Sequence, residues 1–133
     1  MLLLAIAIAY KRKDEQYTSK PYLDTFAEIP TDIPWFWTEE QLAFLEGSPA
    51  LQAIRDTKAA VYDTYESLLQ RLPQLVHVAS PDEFVCCWAH VMSRGFSVDL
   101  NDHKVLALVP LLDMLHHNIQ ARTEWQFDVA LQV

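Results

Sequence analysis

The chain has 133 residues, about half of them apolar and only two of them glycine, which allows one modest domain with its own core and argues against disorder. Its formal net charge of −8, from 18 acidic and 10 basic residues, excludes a phosphate-binding nucleic-acid surface, which needs clustered Lys and Arg. Acidity of this size serves solubility and suits a basic, lysine-bearing partner segment.

The opening "MLLLAIAIAYKRK" contains about nine apolar residues, against the roughly 20 that span a bilayer, and its basic residues follow the run instead of preceding it. It reads as a buried first helix, with no membrane partner. Next, "SKPYLDTFAEIPTDIPWFW" is punctuated by proline and rich in aromatics, which predicts an ordered connector packed on a core. Three helix starts follow. In "WTEEQLAFL", Thr38 caps and Gln41 sits three residues on, a capping-box pattern, with Glu39 and Glu40 at the positive helix end. In "GSPALQAIRD", Ser48 is the N-cap and Pro49 takes the first helical position, where its missing N–H costs nothing. That helix is predicted over Pro49 to Leu72, with Ile54, Val61, Tyr65, Leu68 and Leu72 on the core stripe and Arg55, Asp56, Lys58 and Glu66 opposite. "SPDEFVCCWAHVM" repeats the capping logic with Ser80, Pro81 and Glu83; Phe84, Trp88, Val91 and Met92 form its stripe, and Gly95 is placed to end it.

After Gly95 the pattern changes. "GFSVDL" and "HKVLALVP" have the short, β-branched character of strands separated by the turn-like "DLND". "LVPLLDMLHHN" reads as a buried strand that ends in Asp113, His116 and His117, and the two adjacent imidazoles would point to opposite sides of such a strand. The final "TEWQFDVALQV" alternates, with Trp125, Phe127, Val129, Leu131 and Val133 on one face, and predicts a strand with an exposed, aggregation-prone apolar edge.

The residues also weigh against several chemistries. Cys86 and Cys87 are adjacent in an apolar helical setting, a poor geometry for a disulfide, so they read as reduced thiols in an intracellular compartment. Cys86 and His90 share a helix face, but two ligands without a C-x-x-C partner do not make a zinc site, and no metal is expected. The aromatic residues at 35–37, 62, 65 and 88 read as packing before they read as a cage. No phosphate loop, paired-carboxylate pattern or Ser-His-Asp order stands out.

Five segments stand in a telling order: "KPYLDTFAEIP", "PWFWTEEQLAFLEGSPAL", the long helix, "FVCCWAHVMSRGFSV" and "LVPLLDMLHHN". In that order they resemble the SET-domain protein methyltransferases of the Rubisco large-subunit methyltransferase-like group, over nearly the whole chain. The resemblance implies an α+β fold, a partial SET domain with a helical insertion at about 30–95 and a β-rich, cofactor-side segment at 96–133. It implies S-adenosyl-L-methionine as cofactor, and methyl transfer to a protein lysine or, in some relatives, histidine. It implies that Arg94, from S-R-x-F, lies by the cofactor, and that Asp113, Met114, Leu115, His116 and His117, at the D-x-x-N-H position, wrap against it. The compartment is then cytoplasmic, nuclear or plastid.

The departures from the family pattern carry their own expectations. His116 stands where the family has asparagine; a neutral imidazole offers one donor and one acceptor at longer reach than the short amide, which puts cofactor affinity at issue. The family's upstream glycine loop and its downstream G-E-x-x-x-x-Y-G segment, with the tyrosine that positions the amine, have no counterpart in these 133 residues. No catalytic residue is therefore assigned here, and these residues alone are expected to show no turnover. A protein of another class, a SET-derived interaction module using its helical insertion as a binding surface, is the competing expectation.

Overall fold

A computed structural model describes residues 1–100, 103–116 and 118–122. The apolar opening is helix α1 (Leu2–Lys11), which buries Ala5, Ile8 and Ala9 at three- and one-residue steps on one side. The connector is ordered, as its prolines and aromatics predict. It contains the short helix α2 (Lys20–Leu23), with Pro21 in its first turn, and a 3-10 turn at Pro34–Phe36. Tyr22, Leu23, Phe26 and Trp35 anchor it in the core.

All three capped starts form. Thr38 and Gln41 form a capping box at α3 (Glu39–Leu42), each backbone N–H donating to the other's side-chain oxygen, and the helix runs on into a 3-10 turn at Ala43–Leu45. Gly47 then takes a left-handed φ of 80°, open to a residue without Cβ, and turns the chain into the Ser48 cap of α4 (Pro49–Arg71). Helix α4 stops one residue short of the expected Leu72, which caps its end and is exposed, because Pro73 opens a 3-10 turn at Pro73–His77 that the sequence reading did not foresee. Val61 and Tyr65 are the buried centre of its stripe, and Ile54 and Leu68 pack at the margin. Lys58, assigned to the polar face, instead reaches sideways: its Nζ donates to the Trp35 carbonyl at 2.6 Å and ties α4 to the connector.

Helix α5 (Pro81–Arg94) is the central element. Ser80 and Glu83 close a second capping box at its start. The expected stripe of Phe84, Trp88, Val91 and Met92 is too narrow at one end and wrong at the other: Met92 is exposed, while Val85, Cys86, Cys87, Ala89 and His90 are buried. The cause is that α1 and α4 both pack on α5, so it is covered on more than one side. Tyr65 of α4 meets Phe84 with ring centroids 5.4 Å apart, and its hydroxyl donates to the buried Ala79 carbonyl at 2.6 Å.

Gly95 ends α5, though with φ −77° and not in the left-handed state that usually selects glycine there. Its reason is space. A Cβ at this position would lie 2.6 Å from the Val91 carbonyl oxygen and 3.0 Å from Leu106 Cδ1. The helix therefore passes directly into strand β1 (Phe96–Leu100), which pairs antiparallel with β2 (His103–Ala107), Val98 opposite Val105. Asn101 and Asp102, where the sequence predicts a turn, His117, and the alternating segment 123–133 with its expected edge lie outside the described residues.

The apolar run after β2 is not a strand. Extended structure ends at Ala107, Leu111 takes a left-handed φ of 72°, and Leu112–Met114 form a 3-10 turn. Leu112 N–H donates to Val109 O and Met114 N–H to Leu111 O, so the turn closes on itself instead of on a sheet. His116 follows this turn outside any strand.

Candidate functional site

Arg94 is the last residue of α5, where a cation complements the negative end of the helix. Its Nη1 donates to Asp113 Oδ2 at 2.7 Å, across 19 residues of sequence. The Asp113 side chain is 2% exposed and that of Arg94 28%, so the carboxylate is sunk in the protein while the guanidinium still has one side toward solvent. The 3-10 turn makes this possible: in an extended strand, residue 113 would have been carried on past the helix end. The left-handed Leu111 is where the chain bends back.

The floor under the ion pair is aromatic. Arg94 Cζ lies 4.8 Å from the centroid of the Phe26 ring. One turn earlier on α5, His90 stacks on the same ring at 4.7 Å with an interplanar angle of 28°. Residues 90 and 94 share a helix face, which is why one ring serves both. His90 Nε2 lies 2.8 Å from the Ala27 carbonyl. A carbonyl only accepts, so this nitrogen carries the proton in the neutral ring. Burial is the main cause holding the His90 pKa below its usual 6.5; the Ala27 bond opposes it, and the Arg94 and Arg12 charges add to the lowering.

Tyr22 completes the cluster, edge-on to Phe26 with centroids 5.0 Å apart and planes at 78°. Burial, and next the neighbouring Asp113 carboxylate, push its phenol up to about 12, so it is a neutral donor at any ordinary pH. Yet neither Tyr22 Oη nor Asp113 Oδ1 makes a hydrogen bond of full geometry among the described residues, and both atoms are buried.

Of the residues expected to form a cofactor corner, Arg94 and Asp113 are thus in direct contact. Among the described residues, Asp113 accepts from the Arg94 guanidinium and from no backbone N–H. Met114, Leu115 and His116 follow on the outer side of the turn and are exposed. Position 117 lies outside the described residues. Sequence reasoning missed Tyr22, Phe26 and His90 as members. The tyrosine is visible in the P-Y-L motif and the four-residue spacing of His90 and Arg94 puts them on one helix face, whereas the sequence pairs His90 most obviously with Cys86. The two cysteines are buried thiols, both pushed upward chiefly by burial, Cys87 to about 11. Such shifts suit packing groups and not nucleophiles.

No family model matches the chain. It is 30% identical over 126 residues to the fructose-bisphosphate aldolase-lysine N-methyltransferase, chloroplastic, of Arabidopsis thaliana, covering 91% of this chain and 26% of that protein. It is 29% identical over 137 residues to N-lysine methyltransferase setd6 of Xenopus laevis, covering 86% and 29%. With the Rubisco large-subunit N-methyltransferase, chloroplastic, of Nicotiana tabacum the identity is 30% over 110 residues, covering 79% and 22%. Among solved structures, the SET domain of LSMT bound to lysine and AdoHcy aligns over 90% of this chain and 28% of that one, with a TM-score of 0.74 and 27% identity. The chain belongs to the SET-domain methyltransferases of the Rubisco large-subunit methyltransferase-like group. It spans about a quarter of the length of the curated relatives it matches. Within this partial SET domain, the contact between S-R-G-F and the end of L-V-P-L-L-D joins two family segments that are far apart in sequence. Among the described residues, no helix is long and apolar enough to cross a membrane.

Proposed function

We propose that this SET segment supplies one corner of an S-adenosylmethionine site in a protein N-methyltransferase, formed by Arg94, Asp113, Met114, Leu115, His116 and His117. In this reading residues about 30–95 are the helical insertion and 96–133 the cofactor-side segment. The observation that carries it is the 2.7 Å Arg94–Asp113 pair, in a fold that superposes on a SET domain bound to AdoHcy. The donor set suits the ligand. A guanidinium that spends one N–H on a buried acid and keeps a side toward solvent has N–H groups left for a carboxylate such as the cofactor's. The exposed turn at 114–116 offers backbone groups and an imidazole for its polar remainder.

When bound, S-adenosylmethionine supplies an electrophilic methyl group on a sulfonium. The chain's own residues bind and orient. Arg94 holds an anion, Asp113 fixes the direction of the Arg94 fork, and the Leu111-centred bend sets the height of residues 114–116 above the helix end. Alignment at this level governs a displacement whose barrier depends on the approach of an uncharged amine. Lysine is the favoured acceptor because the relatives are named as lysine methyltransferases; histidine is the second acceptor of the class. Buried thiols and the chloroplastic relatives support an intracellular compartment, a plastid included.

The test is calorimetric titration with S-adenosylhomocysteine. Arg94→Ala is expected to weaken binding about 10- to 100-fold, the equivalent of losing a charge-assisted hydrogen bond. His116→Asn is expected to tighten it, by restoring the shorter amide. Equal affinity of wild type and Arg94→Ala, or no binding by the wild type, overturns the assignment. One observation favours the interaction-module reading: Phe44, in the 3-10 turn after α3, is 90% exposed. If cofactor binding fails while Phe44→Ala abolishes association with a partner protein, that reading replaces the first.

A further inference from the structure

Among the described residues, two buried polar atoms of the cluster, Tyr22 Oη and Asp113 Oδ1, have no hydrogen-bond partner, and they are chemically matched. Asp113 Oδ1 can only accept while the carboxylate is ionised, and it is kept so oriented by Arg94 on Oδ2. Tyr22 Oη carries a proton it can donate, and the ring that carries it is pinned edge-on to Phe26, the same ring that supports Arg94. A buried hydroxyl and a buried carboxylate oxygen left apart would each cost the fold their desolvation. Brought within bonding distance, each would remove the other's penalty.

We infer that Tyr22 is a positioning residue of this corner: its hydroxyl donates to Asp113 Oδ1, locks the Arg94–Asp113 pair and thereby holds the turn that carries residues 114–116. The inference rests on the reading of that corner as a cofactor site. Tyr22 touches no ligand in this scheme. It acts on the carboxylate, the carboxylate acts on the guanidinium, and the connector between α1 and α3 thus gains a hand in the geometry of a site built by α5 and the 112–114 turn. The direction of the Tyr22 pKa, raised by burial and then by the Asp113 charge, is what a phenol facing a carboxylate shows.

Tyr22→Phe separates the possibilities, because it keeps the ring and its packing and removes only the hydroxyl. If the hydroxyl donates to Asp113, the variant leaves Oδ1 stranded, and the melting temperature falls by several degrees. In an Asp113→Ala background the same change has no acceptor to strand, and the melting temperature stays level or rises. A rise or no change in the wild-type background overturns the inference, since removing a truly unpartnered buried hydroxyl relieves the fold. The second readout is affinity for S-adenosylhomocysteine: Tyr22→Phe is expected to weaken it about tenfold, and an unchanged affinity beside a lowered melting temperature assigns Tyr22 to stability only and overturns the positioning role. Absence of binding by the wild type sinks the cofactor reading, and the positioning role with it, while the melting arm still reports whether the Tyr22–Asp113 bond exists.

Discussion

Gly95 joins the helix that ends in Arg94 to the strand that begins at Phe96, so a single methyl group there tests the whole junction. In Gly95→Ala the new carbon would sit 2.6 Å from the Val91 carbonyl oxygen, 3.0 Å from Leu106 Cδ1 and 3.3 Å from Leu106 Cγ. Leucine can rotate away; a carbonyl that is accepting the Gly95 N–H at 2.9 Å cannot, without loosening the last bond of α5. The backbone must yield by about 0.4 Å or more, and overpacking of this kind costs about 1–3 kcal/mol. Against this, alanine restricts the unfolded chain and returns about 0.4–1 kcal/mol, with no penalty in φ because the native −77° is open to any residue. The net expectation is a loss of about 1–2 kcal/mol, or roughly 3–8 °C in Tm for a chain of this size. Thermal melts followed by circular dichroism measure it, with amide exchange across the β1–β2 pair as the local readout. A variant as stable as the wild type, with unchanged protection at Leu106, refutes the close approach of helix end and sheet.

Four further outcomes follow from particular contacts. A double-mutant cycle of Arg94→Met with Asp113→Asn should give a coupling of about 1–2 kcal/mol; Asp113 is buried, but the part-exposed Arg94 keeps the value below the roughly 3–5 kcal/mol of a fully buried pair, and additive effects would refute the contact. Folded His90 takes its proton at lower pH than the unfolded histidine, whose value is near 6.5, so below that pH the unfolded state binds more protons and stability declines as pH falls. That contribution is intact above 6.5, and His90→Gln should flatten the decline in denaturant midpoints between pH 7 and 5; parallel profiles would count against it. Tyr65→Phe should cost about 1–2 kcal/mol in chemical denaturation by leaving the buried Ala79 carbonyl without its donor, and a neutral result would mean that the carbonyl finds water. Leu111→Gly relieves a left-handed leucine at the loss of little packing, since the side chain is 70% exposed, and should leave stability level or raise it by about 1 kcal/mol; a clear loss would mean that the bend depends on the side chain.

Helix starts were legible because capping is local chemistry. Thr38, Ser48 and Ser80 each announce a helix within four residues, and each forms one. Side-chain placement along α5 was not, because its neighbours are set by tertiary contacts: α1 and α4 together bury residues that a single amphipathic stripe leaves out. The run from Leu108 to Leu115 misled for a different reason. Its composition is that of a buried strand, and a left-handed bend at leucine has no sequence signature of the kind glycine or asparagine would give. Arg94 and Asp113 were legible as a pair only through the order of family motifs. Tyr22, Phe26 and His90 are joined by ring stacking across 68 residues of chain, a geometry that no local spacing encodes.

Phe26 has no charge and no hydrogen-bonding group, yet two cationic-capable side chains lean on its π-face and a third aromatic butts against its rim. A replacement there that keeps volume but loses planarity, leucine for instance, would leave the core filled and still unseat Tyr22, His90 and Arg94 together. Position 26 is for that reason a single keystone for three residues drawn from two helices, and drift at this one phenylalanine would loosen all three contacts at once.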